Sequence, residues 1–256
     1  MKIGIVIPTK DATAEPAQTS IALARKTTAH LDAAVIPVQD SGPGFRFSRS
    51  INRGVAQAPD ADAWVLLNDD AFMDAGWLDA MIAVAQAHPE VAVVGAVLRY
   101  PDGGLQHAGG RVLMTPGPFL AEASYHRAPL WALRMLAKHR FRPFPYMYTH
   151  WRSVSPRHRL DFITAACALV TRRAWEALGG YDERYEFGCE DSDFSLRARE
   201  AGFELALATR ATGVHLEGKS SGQMSERQKR SLATFEQTWS AERIRKATRG
   251  RVGVYG

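Results

Sequence analysis

Ala63-Trp64-Val65-Leu66-Leu67-Asn68-Asp69-Asp70 decides how this chain is read. The apolar run from Ala63 to Leu67 has the length and composition of a buried strand, and two carboxylates follow directly. Acidic groups just past the carboxyl end of a strand lie where open α/β sheets bind ligands. Adjacent carboxylates repel each other, and a divalent cation relieves that repulsion. Hard oxygen ligands suit Mg2+ or Mn2+, which complete their shells with substrate phosphates. The plainer alternative is a turn, in which Asn and Asp are common.

Working outward, Ile3 to Ile7 predicts a first strand closed by Pro8. Ala17 to His30 reads as a helix and Ala33 to Val38 as a second strand ending at Gln39-Asp40. Ser41-Gly42-Pro43-Gly44 is a turn signal, and Ser48 to Ala58 a helix with Ser48 as N-cap and Pro59 as a stop. Trp77 to Ala87 predicts a further helix, and Val91 to Leu98 another strand. This alternation over the first 100 residues predicts an α/β fold with a mainly parallel, doubly wound sheet. Turns follow at Pro101-Asp102-Gly103-Gly104 and Ala108-Gly109-Gly110. Order returns with a strand at Phe162 to Thr171 and a helix at Arg173 to Leu178. Asp191 to Ala201 reads as a helix with Phe194, Ala198 and Ala201 on one face and Gly202 at its end. Leu205 to Ala208 and Gly213 to His215 read as short strands. The last forty residues predict a charged amphipathic helix and a basic tail, Arg243 to Arg251.

The chain has 256 residues, 46% apolar and 23% charged, which suits one globular domain with a sizeable core. No apolar run approaches the ~18 residues that span a bilayer. Met1 to Pro8 reads as a strand rather than a signal peptide. Cys167 and Cys189 have no metal-type spacing, so a cytoplasmic, disulfide-free protein is expected, with peripheral attachment at the inner face of a membrane left open.

The net charge of +5 is unevenly spread. No acidic residue occurs between Glu122 and Asp161. That interval holds Arg127, Arg134, Lys138, Arg140, Arg142, Arg152, Arg157 and Arg159, interleaved with Tyr125, Trp131, Phe141, Phe144, Tyr146, Tyr148 and Trp151. It reads either as a solvated surface or subunit-packing arm, or as a site for an anionic acceptor: a phospholipid-linked sugar, an acidic glycan or nucleic acid.

A second acidic cluster, Gly188-Cys189-Glu190-Asp191-Ser192-Asp193, opens the predicted helix at 191. Acids at a helix N-terminus complement its dipole and cap free N–H groups. The same position allows Asp191 to act as a general base toward a hydroxyl. Spacing alone does not separate the two. His215, in Gly213-Val214-His215-Leu216-Glu217-Gly218-Lys219-Ser220-Ser221-Gly222, precedes a loop whose backbone N–H groups and Lys219 ammonium suit phosphate.

These segments together resemble the family 2 glycosyltransferases of the GT-A fold, with closest likeness to rhamnosyltransferase-like members. The likeness runs through Ile5-Val6-Ile7-Pro8-Thr9, Phe47-Ser48-Arg49-Ser50-Ile51-Asn52-Arg53-Gly54, Leu66 to Asp70 and Gln106-His107-Ala108-Gly109-Gly110. It continues from Cys167 to Val170, then Gly179-Gly180-Tyr181-Asp182-Glu183, Glu190 to Asp193, Ala201-Gly202 and His215. The resemblance implies one GT-A domain. Residues 1–100 would bind the nucleotide-sugar, 111–160 would be a variable acceptor region, 161–222 a catalytic, acceptor-binding half, and 223–256 a helix and basic tail.

The resemblance further implies a nucleotide-diphosphate sugar donor, UDP or dTDP favoured, a Mn2+ or Mg2+ ion, and inversion at the anomeric carbon. It implies Asp70 and His215 on the metal, with Asp191 as base and Glu190 beside it orienting it or touching the acceptor. Pro8, Thr9, Asp40, Arg49 and Asn52 would line the nucleoside pocket, with Asn68 and Asp69 completing the donor site. Gln39-Asp40-Ser41-Gly42 departs from the usual Asp-Asp-Gly-Ser, and the metal motif opens on Asn68 rather than Asp. Gln228-Lys229-Arg230-Ser231 does not match the Gln-x-x-Arg-Trp signature of processive synthases, which favours single addition. A nucleic-acid-directed protein (a glycosyltransferase of modified DNA or a basic binding module) and an inactive scaffold of the same fold are the competing expectations, and a homo-oligomer is left open.

Overall fold

The structure, a computed structural model, describes residues 1–42, 44–115, 142–147, 160–216, 225–249 and 253–256. Strands β1 (Ile3–Thr9), β2 (Ala33–Gln39) and β3 (Ala63–Leu67) form a parallel block in the order β2-β1-β3. Every residue of β1 and β3 is buried, the signature of a strand covered on both faces. The side chains of β1 alternate accordingly. Ile3, Ile5 and Ile7 face one core with helices α1 (Glu15–Thr27) and α3 (Trp77–Ala87). Val6 faces the other core, with α2 (Phe47–Val55). Trp77 and Met81 of α3 are fully buried, and side chains of this size each stabilise by roughly 1.5–3 kcal/mol. Helix α2 approaches β1 so closely that a Cβ on Gly54 would lie 2.2 Å from Val6 Cγ1.

A second parallel block comprises β5 (Val91–Arg99), β10 (Glu204–His215) and β11 (Val254–Tyr255). Between the blocks runs β9 (Cys167–Thr171), antiparallel to both neighbours. The sheet is therefore mixed, and the expected parallel winding holds on either side of one reversed strand. Two short strands, β4 (Ala71–Met73) and β6 (Leu105–His107), pair antiparallel with β10 and β5. Strands β7 (Gly110–Thr115) and β8 (Arg142–Met147) form a separate two-stranded antiparallel sheet. The rest of the basic interval 116–159 and the loop 217–224 lie outside the described residues, so the acceptor-region and Lys219 expectations fall there.

The second half adds α4 (Arg172–Leu178), α5 (Glu190–Glu200), α6 (Glu226–Thr238) and α7 (Ala241–Thr248). Leu196 of α5 meets Phe235 and Trp239 of the α6 end and Ile244 of α7 in a small third core. Several expectations need correction. The strand expected at Phe162 to Thr171 begins only at Cys167, because Phe162 bridges Gly110 of β7 instead and Ile163 to Ala166 donate their N–H groups to side chains. The two short strands expected at 205–215 are one strand with a register shift between Ala208 and Thr212. Ser48 is not an N-cap. It lies inside α2, and its hydroxyl donates to the Tyr185 carbonyl at 3.1 Å. Ala201 is exposed, off the buried face of α5. Much of the basic tail is α7, whose Arg243 pairs with Glu200 of α5 at 2.7 Å. Among the described residues no helix is long and apolar enough to cross a membrane, and both cysteines are free.

Candidate active site

The reversed strand explains how distant acids meet. Because β9 is antiparallel to β3, Cys167 pairs with Leu67, and the segment entering β9 passes over the carboxyl edge of β3. Asn68 N–H donates to the Ala166 carbonyl at 3.0 Å. One residue earlier, Ala165 N–H donates to Asp191 Oδ2 at 3.3 Å. Residues 165–166 thus tie the Asn68-Asp69-Asp70 turn to the first turn of α5.

The turn itself is held from below. Ser20 Oγ of α1 donates to the carbonyls of Asn68 and Ala71, at 3.2 and 2.9 Å, and Ala71 N–H closes the turn on Asn68 O. Strand β10 ends beside it, with His215 opposite Ala71 and Leu216 N–H on the Asp70 carbonyl. His215 Nε2 lies 3.1 Å from Asp70 Oδ1 and 3.1 Å from Asn68 Nδ2.

The proton on His215 follows from its other contacts. Gln106 Nε2 donates to the His215 carbonyl at 3.1 Å, which fixes the amide's orientation. Gln106 Oε1 therefore faces His215 Nδ1, at 2.7 Å, and accepts its proton. In the neutral ring this leaves Nε2 as a lone pair, turned toward the Asp70 carboxylate. The Asn68 amide Nδ2, 3.1 Å away, donates to that lone pair, and a cation taking its place would be shared by Nε2 and Asp70 Oδ1. Donors on adjacent corners of an octahedron with ~2.1 Å bonds lie ~3 Å apart, so Asp70 and His215 fit a divalent ion. Asn68 Oδ1 beside them is buried without a partner in the structure. Among the described residues no cluster of three or more His, Cys, Asp or Glu side chains could hold an ion. Asp69 is partly buried; desolvation, opposed by a bond from Thr9, raises its carboxyl above the usual range.

Helix α5 starts without a side-chain cap, on Cys189 at φ +70°. Its three first-turn acids have different fates. Asp193 is buried and fully engaged: it accepts from Arg197 Nε at 2.7 Å, Trp239 Nε1 at 2.8 Å and Tyr185 Oη at 3.2 Å. Asp191 Oδ1 accepts from Ser192 N–H at 2.7 Å, a local helix-start bond, while Oδ2 takes Ala165 N–H. Ser192 Oγ also donates to Oδ1, at 3.3 Å. Glu190 is buried, and its Oε2 has no partner in the structure. Desolvation raises both Glu190 and Asp191, with their mutual repulsion adding to the rise at Glu190 and N–H donors opposing it.

The expected nucleoside pocket is only partly assembled around one point. Asp40 N–H joins the Thr9 carbonyl at 2.9 Å, and Pro8 pairs with Val38. Asp40 Oδ2 accepts from Ser50 at 2.8 Å and lies 3.6 Å from Arg53 and 3.8 Å from Arg49. Asn52 sits apart from this group. Its amide accepts from Tyr181 N–H at 3.0 Å and donates to Tyr181 O and Glu183 Oε1, both at 2.9 Å, which anchors α2 to the 181–183 turn. Gln106, His107 and Ala165 had no assigned role from sequence. The Gln106-His107 string was visible, but its partners lie across the fold.

The architecture is that of the GT-A glycosyltransferases. Over 91% of this chain and 79% of the other, it superposes on the catalytic domain of Drosophila beta1,4galactosyltransferase 7 in complex with xylobiose, with a TM-score of 0.54 and 17% identity. GalNAc-T7 with UDP, GalNAc and Mn2+ superposes with a TM-score of 0.56 at 11% identity, over 94% of this chain and 48% of that one. Within that class, residues 8–234 match the family described as Glycosyltransferase like family 2, and the chain belongs to that family. It is 31% identical to the O-antigen biosynthesis protein RfbC of Myxococcus xanthus over 67% of this chain and 12% of that protein. It is 26% identical to an N-acetylglucosaminyl-diphospho-decaprenol L-rhamnosyltransferase of Mycobacterium tuberculosis over 71% of this chain and 59% of that protein. The chain thus matches only part of the length of either relative.

Proposed function

We propose that the chain is a metal-dependent, inverting glycosyltransferase that moves a sugar from a nucleotide-diphosphate donor to an acceptor hydroxyl. The carrying observation is that the Asp70–His215 pair and the Asp191 carboxylate hang on the two ends of one backbone link, residues 165–166. Asp70 and His215 would hold Mn2+ or Mg2+, and the mixed oxygen and imidazole donors favour Mn2+. When bound, that ion supplies charge neutralisation for the departing diphosphate. Thr9, Asp40 and Arg49 face the nucleoside, and Asn68 and Asp69 shape the edge on which the diphosphate rests.

Asp191 takes the proton. The acceptor oxygen attacks the anomeric carbon, its O–H proton passes to an Asp191 oxygen, and the bond to the diphosphate oxygen breaks with its electron pair. A single displacement inverts the anomeric carbon. The raised affinity of Asp191 for a proton, set by desolvation, makes it a better base than an exposed carboxylate. Glu190, beside it, orients Asp191 or touches the acceptor.

The Mycobacterium relative, named for a sugar-diphospho-lipid acceptor, and the acid-free interval 123–160 support a phospholipid-linked sugar as acceptor and a dTDP- or UDP-sugar as donor. Thermal stability measured with UDP, dTDP, GDP and CMP, each with Mn2+ and with EDTA, tests this. A ligand selective for the native state raises the melting temperature by mass action. A shift with one of the first two that EDTA abolishes is the expected result. No nucleotide shift, with a shift on adding DNA or RNA instead, overturns the reading.

A further inference from the structure

Strand β6 is three residues long, yet its last two side chains reach two parts of the site. Adjacent residues on a strand point to opposite sides. Gln106 turns to His215, with contacts of 2.7 Å at Nδ1 and 3.1 Å at the carbonyl. His107 turns to the segment entering β9 and accepts from Thr164 N–H at 3.3 Å. Both side chains are buried, each about 1% exposed. Gln106 lies 109 residues from His215 in sequence, so no local hydrogen-bonding preference accounts for the match. Its two-point contact fixes both the amide's direction and the ring's tautomer.

We propose that Gln106 is a positioning residue for the cation. By holding the proton of His215 on Nδ1, it keeps Nε2 a lone pair directed at the Asp70 carboxylate. The inference rests on the assignment of Asp70 and His215 to the metal. A histidine that ligates a metal usually donates its second N–H to an acceptor, and losing that partner costs 10–100-fold in metal affinity. An amide oxygen suits this duty without adding charge. A methionine at 106 preserves much of the shape and removes the strong acceptor. A glutamate restores an acceptor for Nδ1–H and, when protonated, a donor to the His215 carbonyl.

The test is Mn2+ titrated alone into the whole protein and followed by water-proton relaxation enhancement, with melting temperature recorded for each variant. Wild type is expected to bind Mn2+ in a manner lost in Asp70→Ala. Gln106→Met is expected to weaken binding at least about tenfold with little change in melting temperature, and Gln106→Glu to bind within about threefold of wild type. His107→Gln, on the same strand but bonded to Thr164, is expected to keep wild-type Mn2+ affinity. Wild-type affinity in Gln106→Met overturns the inference while leaving the metal assignment standing. Equal losses in Gln106→Met and His107→Gln overturn it too, since the strand rather than the amide would then be responsible. If Gln106→Met does not fold, a tenfold loss in Gln106→Glu overturns the inference. Asp70-independent binding by wild type overturns the metal reading and this inference together.

Discussion

Asp191 and Asp193 lie two residues apart on the first turn of α5, and their surroundings differ completely. Asp193 turns inward to an arginine, a tryptophan and a tyrosine, so its contacts tie α5 to the end of α6 and to the segment before α5, while Arg197 itself reaches the Leu178 carbonyl of α4. Asp191 turns toward the carboxyl edge of the sheet and is met by backbone N–H groups and the hydroxyls of Ser192 and Thr164. Paired carboxylates hold a fold together, whereas desolvated ones without a cation beside them store affinity for a proton. The helix therefore carries an anchor on one face and, on the proposed reading, a base on the other.

That contrast can be broken by exchanging the two demands. Asp191→Asn is expected to lower the transfer rate by roughly 10²–10⁴-fold while leaving nucleotide affinity and melting temperature nearly unchanged, as read by steady-state assay and calorimetry. Asp193→Ala should do the reverse. It removes the carboxylate partner of Arg197, whose Nη atoms keep the Leu178 and Gly180 carbonyls, and takes from buried Trp239 Nε1 its acceptor, so denaturant unfolding should report a loss of roughly 3 kcal/mol. If Asp193→Ala instead kept full stability, the anchor would lie elsewhere.

Smaller effects sharpen the picture. Asp70→Ala is expected to weaken Mn2+-dependent nucleotide binding by roughly 10–100-fold, with no loss of stability in EDTA. At Glu190, burial and the neighbouring Asp191 push the folded pKa up to about 8. The folded state holds that proton more tightly than the unfolded chain, so the stability involved is complete below the ordinary carboxylate range. It is lost as pH rises through the raised folded pKa. Glu190→Gln should therefore gain stability relative to wild type as pH increases, by on the order of 1 kcal/mol or more across that window, as read by denaturant unfolding. A difference that does not grow with pH would contradict the desolvated state of Glu190.

The sequence made some of this legible and hid the rest for physical reasons. Ala63 to Asp70 reads correctly because strand burial and the turn after it are local. Helix α3 matches its expected bounds, Trp77–Ala87, because its start and stop are local too. The direction of β9 is not local. Strand pairing depends on how a segment returns across the sheet, and the apolar run Cys167–Val170 looks the same in either direction. The partnership of Gln106 with His215 spans 109 residues, and that of Asp193 with Trp239 spans 46. For the same reason nothing in the acidic string 190–193 tells the anchor from the base. Asn52 was expected at the nucleoside and is found holding Tyr181, since one amide satisfies a turn as readily as a ligand.

The most direct test of the central claim is calorimetric titration of UDP and dTDP into wild type and Asp70→Ala, each with Mn2+ and with EDTA. The account predicts tight binding of one nucleotide only in wild type with Mn2+, and weak, metal-indifferent binding in the variant. Equal affinity in all four conditions would contradict the placement of the diphosphate at the Asp70–His215 edge.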